Sequence, residues 1–144
     1  MAAHSLPDVL GGEAVLGRAV ESSGALADLV RQGLPAESLS LLAKRLDLRH
    51  AEISAKIGIP QRTLMRRLAR HAKLTAAESD RTVRLAQLYA TAVDTLGGED
   101  KAAQWLKTPN RALCGNRPID QIDTHPGARE VEDILGRIAY GVYG

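Results

Sequence analysis

Residues 53–70, ISAKIGIPQRTLMRRLAR, leave little local choice of fold, because they follow the grammar of a helix-turn-helix. Ser54 and Gly58 stand four apart at the end of a first helix. The small residue lets two helices approach closely, and the glycine takes the backbone conformation that a sharp turn needs. Ile59 is the apolar plug of that turn, and Pro60 suits the first turn of the next helix, where an amide has no intrahelical partner. The second helix is predicted over residues 61–70, with Leu64 and Leu68 on its buried face. That leaves Gln61, Arg62, Thr63, Arg66, Arg67 and Arg70 for other faces. Gln61, Arg62 and Thr63 occupy the end that a recognition helix presents to base edges, and Arg66, Arg67 and Arg70 are placed to meet phosphates. A basic helix after a glycine turn also occurs in proteins that never touch DNA. The stretch alone therefore leaves open a plain helical pair with a solvated arginine face.

The net charge of +2 does not by itself point to nucleic acid. Its distribution does. Residues 44–73 carry nine basic residues (Lys44, Arg45, Arg49, Lys56, Arg62, Arg66, Arg67, Arg70 and Lys73) against Asp47 and Glu52. From residue 94 onward, six basic residues face eight acidic ones. A basic segment joined to a mildly acidic one suggests two surfaces with different partners, with an uneven but merely solvated surface as the alternative.

The chain of 144 residues fits one domain or two small subdomains sharing a core. Alanine and leucine dominate, phenylalanine is absent and β-branched runs are few, which favours an all-α fold with an aliphatic core. No apolar run approaches the roughly 20 residues that span a bilayer. The N-terminus lacks the basic start and apolar block of a secretory signal. A single cysteine fits a reducing compartment. The expected location is cytoplasmic, without a membrane partner.

Taken in order, residues 1–12 read as a flexible lead-in. Residues 13–31 have helical spacing, with Gly24 as a candidate break, and residues 36–46 form a second helix with Leu39, Leu42, Ala43 and Leu46 on one face. With the helix-turn-helix they make a predicted unit over residues 13–74. Thr75 with Glu78 matches a capping box. It opens a connecting helix over residues 75–97 that Gly97 and Gly98 end. Residues 98–144 form the last unit. It comprises a short helix over residues 99–106, a turn-rich loop around Pro109 and Asn110, one helical turn over residues 118–122 and a final helix over residues 128–140. That helix puts Val131, Ile134, Leu135 and Ile138 at core spacing.

Catalytic constellations are missing from the pattern. His4, His50, His71 and His125 lie in unrelated segments without metal-ligand spacing, and Cys114 has no partner nearby in sequence. There is no phosphate-cradling loop and no nucleophile elbow. The expectation is a protein that is not an enzyme, with no catalytic residue, metal or cofactor.

The last third is more specific. EDKAAQWL (residues 99–106), TPNRAL (108–113), RPID (117–120), GAREVE (127–132) and LGRIAYGVY (135–143) together resemble the toxin-binding domain of the Xre/ParS-type antitoxins. Upstream, Thr63-Leu64, Arg66-Arg67 and Ser79-Asp80-Arg81 are similar to that family's Xre-like helix-turn-helix and connecting helix. The resemblance covers roughly residues 34–144, and its one departure is Cys114, where the family pattern leads one to expect glycine. It implies an Xre-like helix-turn-helix bundle joined by a long helix to a small α-helical toxin-binding domain. It also implies an antitoxin of a type II toxin–antitoxin pair that binds a RES-domain toxin, an enzyme that degrades NAD⁺. Repression of its own promoter, a homodimer and a larger toxin–antitoxin complex are implied with it.

Toxin contacts are then expected from Trp105, Asn110, Tyr140, Tyr143 and Gly144. Trp105 reads as a packing anchor or as an interface hot spot. Asn110, between Pro109 and Arg111, has the composition of a turn former. Tyr143 and the terminal carboxylate of Gly144, with Tyr140 close by, are suited to enter a pocket that holds apolar and phosphate groups, with fraying of the tail as the alternative. Two other classes stay open: a stand-alone helix-turn-helix regulator, and an interaction module whose arginine helix contacts protein only.

Overall fold

The computed structural model describes residues 5–141. Among them the helices run α1 (Leu6–Val9), α2 (Gly12–Leu16), α3 (Ser23–Gln32), α4 (Ala36–Arg45), α5 (His50–Ile57), α6 (Gln61–Ala69), α7 (Ala76–Leu96), α8 (Glu99–Leu106) and α9 (His125–Ala139). Two 3₁₀ segments, Arg111–Leu113 and Pro118–Asp123, fill the interval between α8 and α9. The only β-type pairing among the described residues is an isolated bridge between Pro35 and Lys73. The fold is all-α, as the composition predicts. No helix among the described residues is long and apolar enough to cross a membrane.

The expected capping box starts the longest helix. Glu78 N donates to Thr75 Oγ1 at 3.2 Å, and Thr75 N donates to Glu78 Oε1 at 2.8 Å. Each side chain satisfies an amide that the helix start would leave orphaned. From there α7 runs 21 residues, about 30 Å, until Gly97 takes the left-handed conformation at φ +82°. Leu85, Ala86, Leu88, Tyr89, Ala92 and Val93 along it are buried. α7 is packed on several sides at once, against α1, α3, α5, α8, α9 and the 3₁₀ segment Pro118–Asp123. A helix buried on that much of its circumference is a spine for its neighbours rather than an exposed linker.

Two local expectations are corrected. The stretch expected to be a loose lead-in is helical from Leu6, and Val9 and Leu10 are fully buried. Ser38 of α4 fixes it there by donating to the Leu10 carbonyl at 2.8 Å. The helical pattern of residues 13–31 does break, but at Gly17 instead of Gly24. Gly17 ends α2 at φ +79°, and Ser22 caps α3 by accepting from Ala25 N at 3.1 Å. Gly24 lies inside the first turn of α3, where glycine costs little because few helical bonds pass through it.

The buried polar side chains among the described residues, Ser38, Ser54, Ser79 and Thr82, are each hydrogen-bonded, as a dry core requires. Ser79 has the longest reach. Its hydroxyl accepts from Leu34 N at 2.8 Å and ties α7 to the junction between α3 and α4. At the same junction Leu74 N donates to Leu34 O at 2.8 Å and Ala36 N to Ala72 O at 3.0 Å. The segment after α6 is thereby stitched to the segment before α4.

Candidate functional site

α5 and α6 form the helix-turn-helix that the sequence predicts. Gly58 takes φ +87° at the end of α5, Ile59 is buried, and Pro60 precedes α6 as its cap residue instead of entering its first turn. Ser54 is buried, and its carbonyl accepts both Gly58 N and Ile59 N at 2.8 Å, closing the turn. Arg81 of α7 reaches under the turn, donating from Nη1 to the Ile57 carbonyl at 3.0 Å. A backbone acceptor freed by the end of α5 is thus used to hold the pair against the spine.

α6 has three faces. Leu64 is fully buried and Leu68 partly buried, one turn apart. Thr63 and Arg67, also one turn apart, are half-buried along the flank of that face. Gln61, Arg62, Met65, Arg66, Ala69 and Arg70 are exposed. Arg62, Met65, Arg66 and Ala69 follow the spacing i, i+3, i+4, i+7, so they share one outward stripe. Arg62, Arg66 and Arg70 have no ion pair or side-chain hydrogen bond among the described residues, which leaves three guanidinium groups available to an anionic partner.

Arg67 differs from its neighbours. It forms an ion pair with Glu78, and the two side chains are only 20% and 14% exposed. The same carboxylate caps α7, so one glutamate joins α6 to the start of the spine. Arg67 therefore fastens α6 instead of lining its outer face, which corrects the grouping with Arg66 and Arg70. Thr63, on the same flank, is likewise less accessible than Gln61 and Arg62.

The electrostatics of this joint give a prediction. Burial pushes the Glu78 carboxyl upward, but the Thr75 amide and the Arg67 guanidinium outweigh it and hold the group below the ordinary glutamate range. A depressed folded-state pKa adds stability above the unfolded value of about 4.3, and that stability is lost as pH falls through the folded value. Glu78→Gln should cost about 2 kcal/mol at neutral pH. Denaturant titrations at pH 7, 5 and 3 should find the gap between the two proteins closing below about pH 4. A gap of constant size would contradict the assignment.

A second polar joint ties the helix-turn-helix to the C-terminal third. Arg117 Nε and Nη2 donate to Asp120 Oδ2 and Oδ1 at 2.9 and 3.1 Å, and Lys56 of α5 pairs with the same carboxylate. Arg117, helped by Lys56, holds the Asp120 carboxyl below its usual range against the upward push of burial. Arg84 of α7 adds a bond to the Ile122 carbonyl at 2.8 Å and an ion pair to Asp80.

In the C-terminal third, Trp105 is half-buried. One side packs on the core, and the other lines a shallow groove of about 350 Å³ with Leu96, Lys101, Gln104 and Thr108. The geometry accommodates both a packing anchor and an interface residue. Asn110 is a turn former. Its Oδ1 accepts Ala112 N at 2.9 Å, its carbonyl accepts Leu113 N and Gly115 N, and its amide donates to Asn116 O. Cys114, the one departure from the family pattern, sits in this loop at φ +57°, the left-handed region where glycine is least strained. Tyr140 follows α9 and is 85% exposed. Tyr143 and Gly144 lie outside the described residues. Among the described residues no group of three or more His, Cys, Asp and Glu is placed to hold a metal ion.

These features define a class: a helix-turn-helix fastened to a second small helical domain that exposes an aromatic end. Residues 25–87 match the family model of the antitoxin Xre-like helix-turn-helix domain, and residues 91–141 match that of the antitoxin Xre/MbcA/ParS C-terminal toxin-binding domain. The chain is 34% identical over 119 residues to an "Antitoxin Xre" of Yersinia enterocolitica, covering 82% of this chain and 80% of that protein. It is 36% identical over 115 residues to an "Antitoxin Xre" of Photorhabdus laumondii, covering 79% and 78%. A solved chain from the crystal structure of the M. tuberculosis MbcT–MbcA toxin–antitoxin complex superposes with a TM-score of 0.57 at 25% identity, covering 76% of this chain and 96% of that one. The chain belongs to the Xre antitoxin family, antitoxins of toxin–antitoxin systems that join a helix-turn-helix to a toxin-binding domain.

Proposed function

We propose that this chain is a cytoplasmic antitoxin that binds a RES-domain toxin, stops it from degrading NAD⁺, and represses its own operon through α6. The observation that carries the reading is the pairing, in one chain, of a toxin-binding domain with a helix-turn-helix whose arginines Arg62, Arg66 and Arg70 have no ionic partner among the described residues. In the organisation we favour, residues 13–74 contact DNA, residues 75–97 connect, and residues 98–144 contact the toxin.

On the toxin side, Trp105 and the exposed Tyr140 are the aromatic anchors, and Asn110 shapes the loop between them. Tyr143 and Gly144 enter the toxin's NAD⁺ pocket, with the aromatic ring against apolar wall. The chain acts by binding, without chemistry of its own. On the DNA side, Gln61 and Arg62 address base edges while Arg66 and Arg70 meet phosphates. Two copies of the chain read a palindrome, since single helix-turn-helix units bind weakly.

The test is co-purification with the product of the neighbouring gene, followed by truncation. Deleting residues 142–144 should leave the complex intact and reduce neutralisation at least about tenfold, the effect of losing a central anchor at an interface. Full neutralisation by the truncated chain would sink the occlusion mechanism. Failure to form any complex would sink the antitoxin–RES pairing itself and favour a stand-alone regulator.

A further inference from the structure

Met65 stands among polar and charged residues on the outer side of α6. It is 43% exposed, one of two large exposed hydrophobic residues among the described residues, the other being Tyr140. An isolated exposed methionine means nothing by itself. Its setting gives it meaning. Met65 lies in the outward stripe between Arg62 and Arg66, and Leu64 beside it already fills the core position. Ala69, one turn further along the same stripe, is small enough to let the helix axis come close to whatever α6 meets.

The flanking charges fix the kind of partner. Two guanidinium groups without ionic partners, on the same exposed stripe as an apolar side chain, complement a polyanion that also presents an apolar group. The major groove of DNA offers one such group, the C5-methyl of thymine, which is read by apolar contact. A thioether on three rotatable bonds suits that contact, because it is polarizable and adapts to a shallow target. A guanine beside the thymine would meet Arg62 through its O6 and N7 atoms, the commonest specific contact.

We infer that Met65 is a specificity-determining residue that reads the C5-methyl of a thymine in each operator half-site, adjacent to the base contacted by Arg62. The inference rests on the proposed DNA binding by α6. It adds a base identity that the charged residues cannot supply.

The test uses the full-length chain and a fragment of its own promoter, with thymines replaced one at a time by deoxyuridine, which removes only the methyl group. Binding is followed by fluorescence anisotropy for the wild type, Met65→Ala and Met65→Leu. The wild type should lose about three- to tenfold in affinity at one thymine per half-site, the effect expected for one buried methyl contact. Met65→Ala should bind more weakly to the native fragment and be indifferent to that replacement, whereas Met65→Leu should retain part of the discrimination. Because Met65 is exposed, circular dichroism and melting temperature should not change. Specific binding that no deoxyuridine weakens, or a Met65→Ala protein as sensitive as the wild type, would overturn the inference and leave DNA binding standing. Absence of binding to any promoter fragment would overturn both.

Discussion

Replacing Arg62, Arg66 and Arg70 together by alanine should strongly weaken operator binding and leave both the fold and toxin neutralisation intact. None of the three has an ionic partner among the described residues, so their removal orphans no carboxylate. Alanine is also the better helix former. For each guanidinium withdrawn from a phosphate, the dependence of log affinity on log salt should flatten by about one unit per recognition helix. With all three gone from each helix, affinity should fall by about a hundredfold or more at physiological salt. Arg67→Ala makes the informative contrast. It strips the Glu78 carboxylate of its partner and should cost stability while changing the salt slope little. An anisotropy titration across salt concentrations, paired with a thermal melt, separates the two. An unchanged salt slope in the triple variant would remove α6 from the DNA interface.

Gly33→Ala should be among the most destabilising single-methyl changes in the molecule. Gly33 sits at φ +98°, and a Cβ there would stand 2.3 Å from the Leu74 carbonyl oxygen and 3.4 Å from Lys73 Cβ. Neither the backbone of Leu74 nor that of Leu34 can yield freely, because they are bonded to each other at 2.8 Å and Ser79 holds Leu34 from α7. A loss of about 3–5 kcal/mol is expected, the range of strain and overpacking combined. The melting temperature should fall on the order of 10–20 °C. Gly97 is the control. It also has positive φ, at +82°, but a methyl group added there would find nothing within 4 Å, so Gly97→Ala should cost only about 1 kcal/mol. Equal costs at the two sites would show that backbone conformation alone, and not the stitch between Leu34 and Leu74, sets the penalty.

What is legible in the sequence is local. The capping box at Thr75 and Glu78, the stop at Gly33 through Pro35 and the turn at Gly58 each involve residues within four positions, so composition and spacing disclose them. The fastening role of Arg67 is hidden because its partner, Glu78, comes 11 positions later, beyond the end of its own helix. The joint at Asp120 is hidden for the same reason, since Lys56 lies 64 positions away. Gly17 and Gly24 look alike in sequence, and only the cap at Ser22 decides which one ends a helix. The burial of Val9 and Leu10 comes from packing against distant elements, with Ser38, 28 positions beyond Leu10, bonding the Leu10 carbonyl. Met65 does carry a local signal. Counting i, i+3, i+4, i+7 from Arg62 puts it on the outer stripe.

The measurement that bears most directly on the account is NAD⁺ content in a reaction containing the neighbouring gene's product, with and without the purified full-length chain. NAD⁺ should disappear when the toxin acts alone and persist once the chain is added to stoichiometric excess, with complex formation and protection rising together. Continued NAD⁺ loss in the presence of a stable complex would contradict inhibition by occlusion. A partner that leaves NAD⁺ untouched when alone would contradict the assignment of a RES-type toxin.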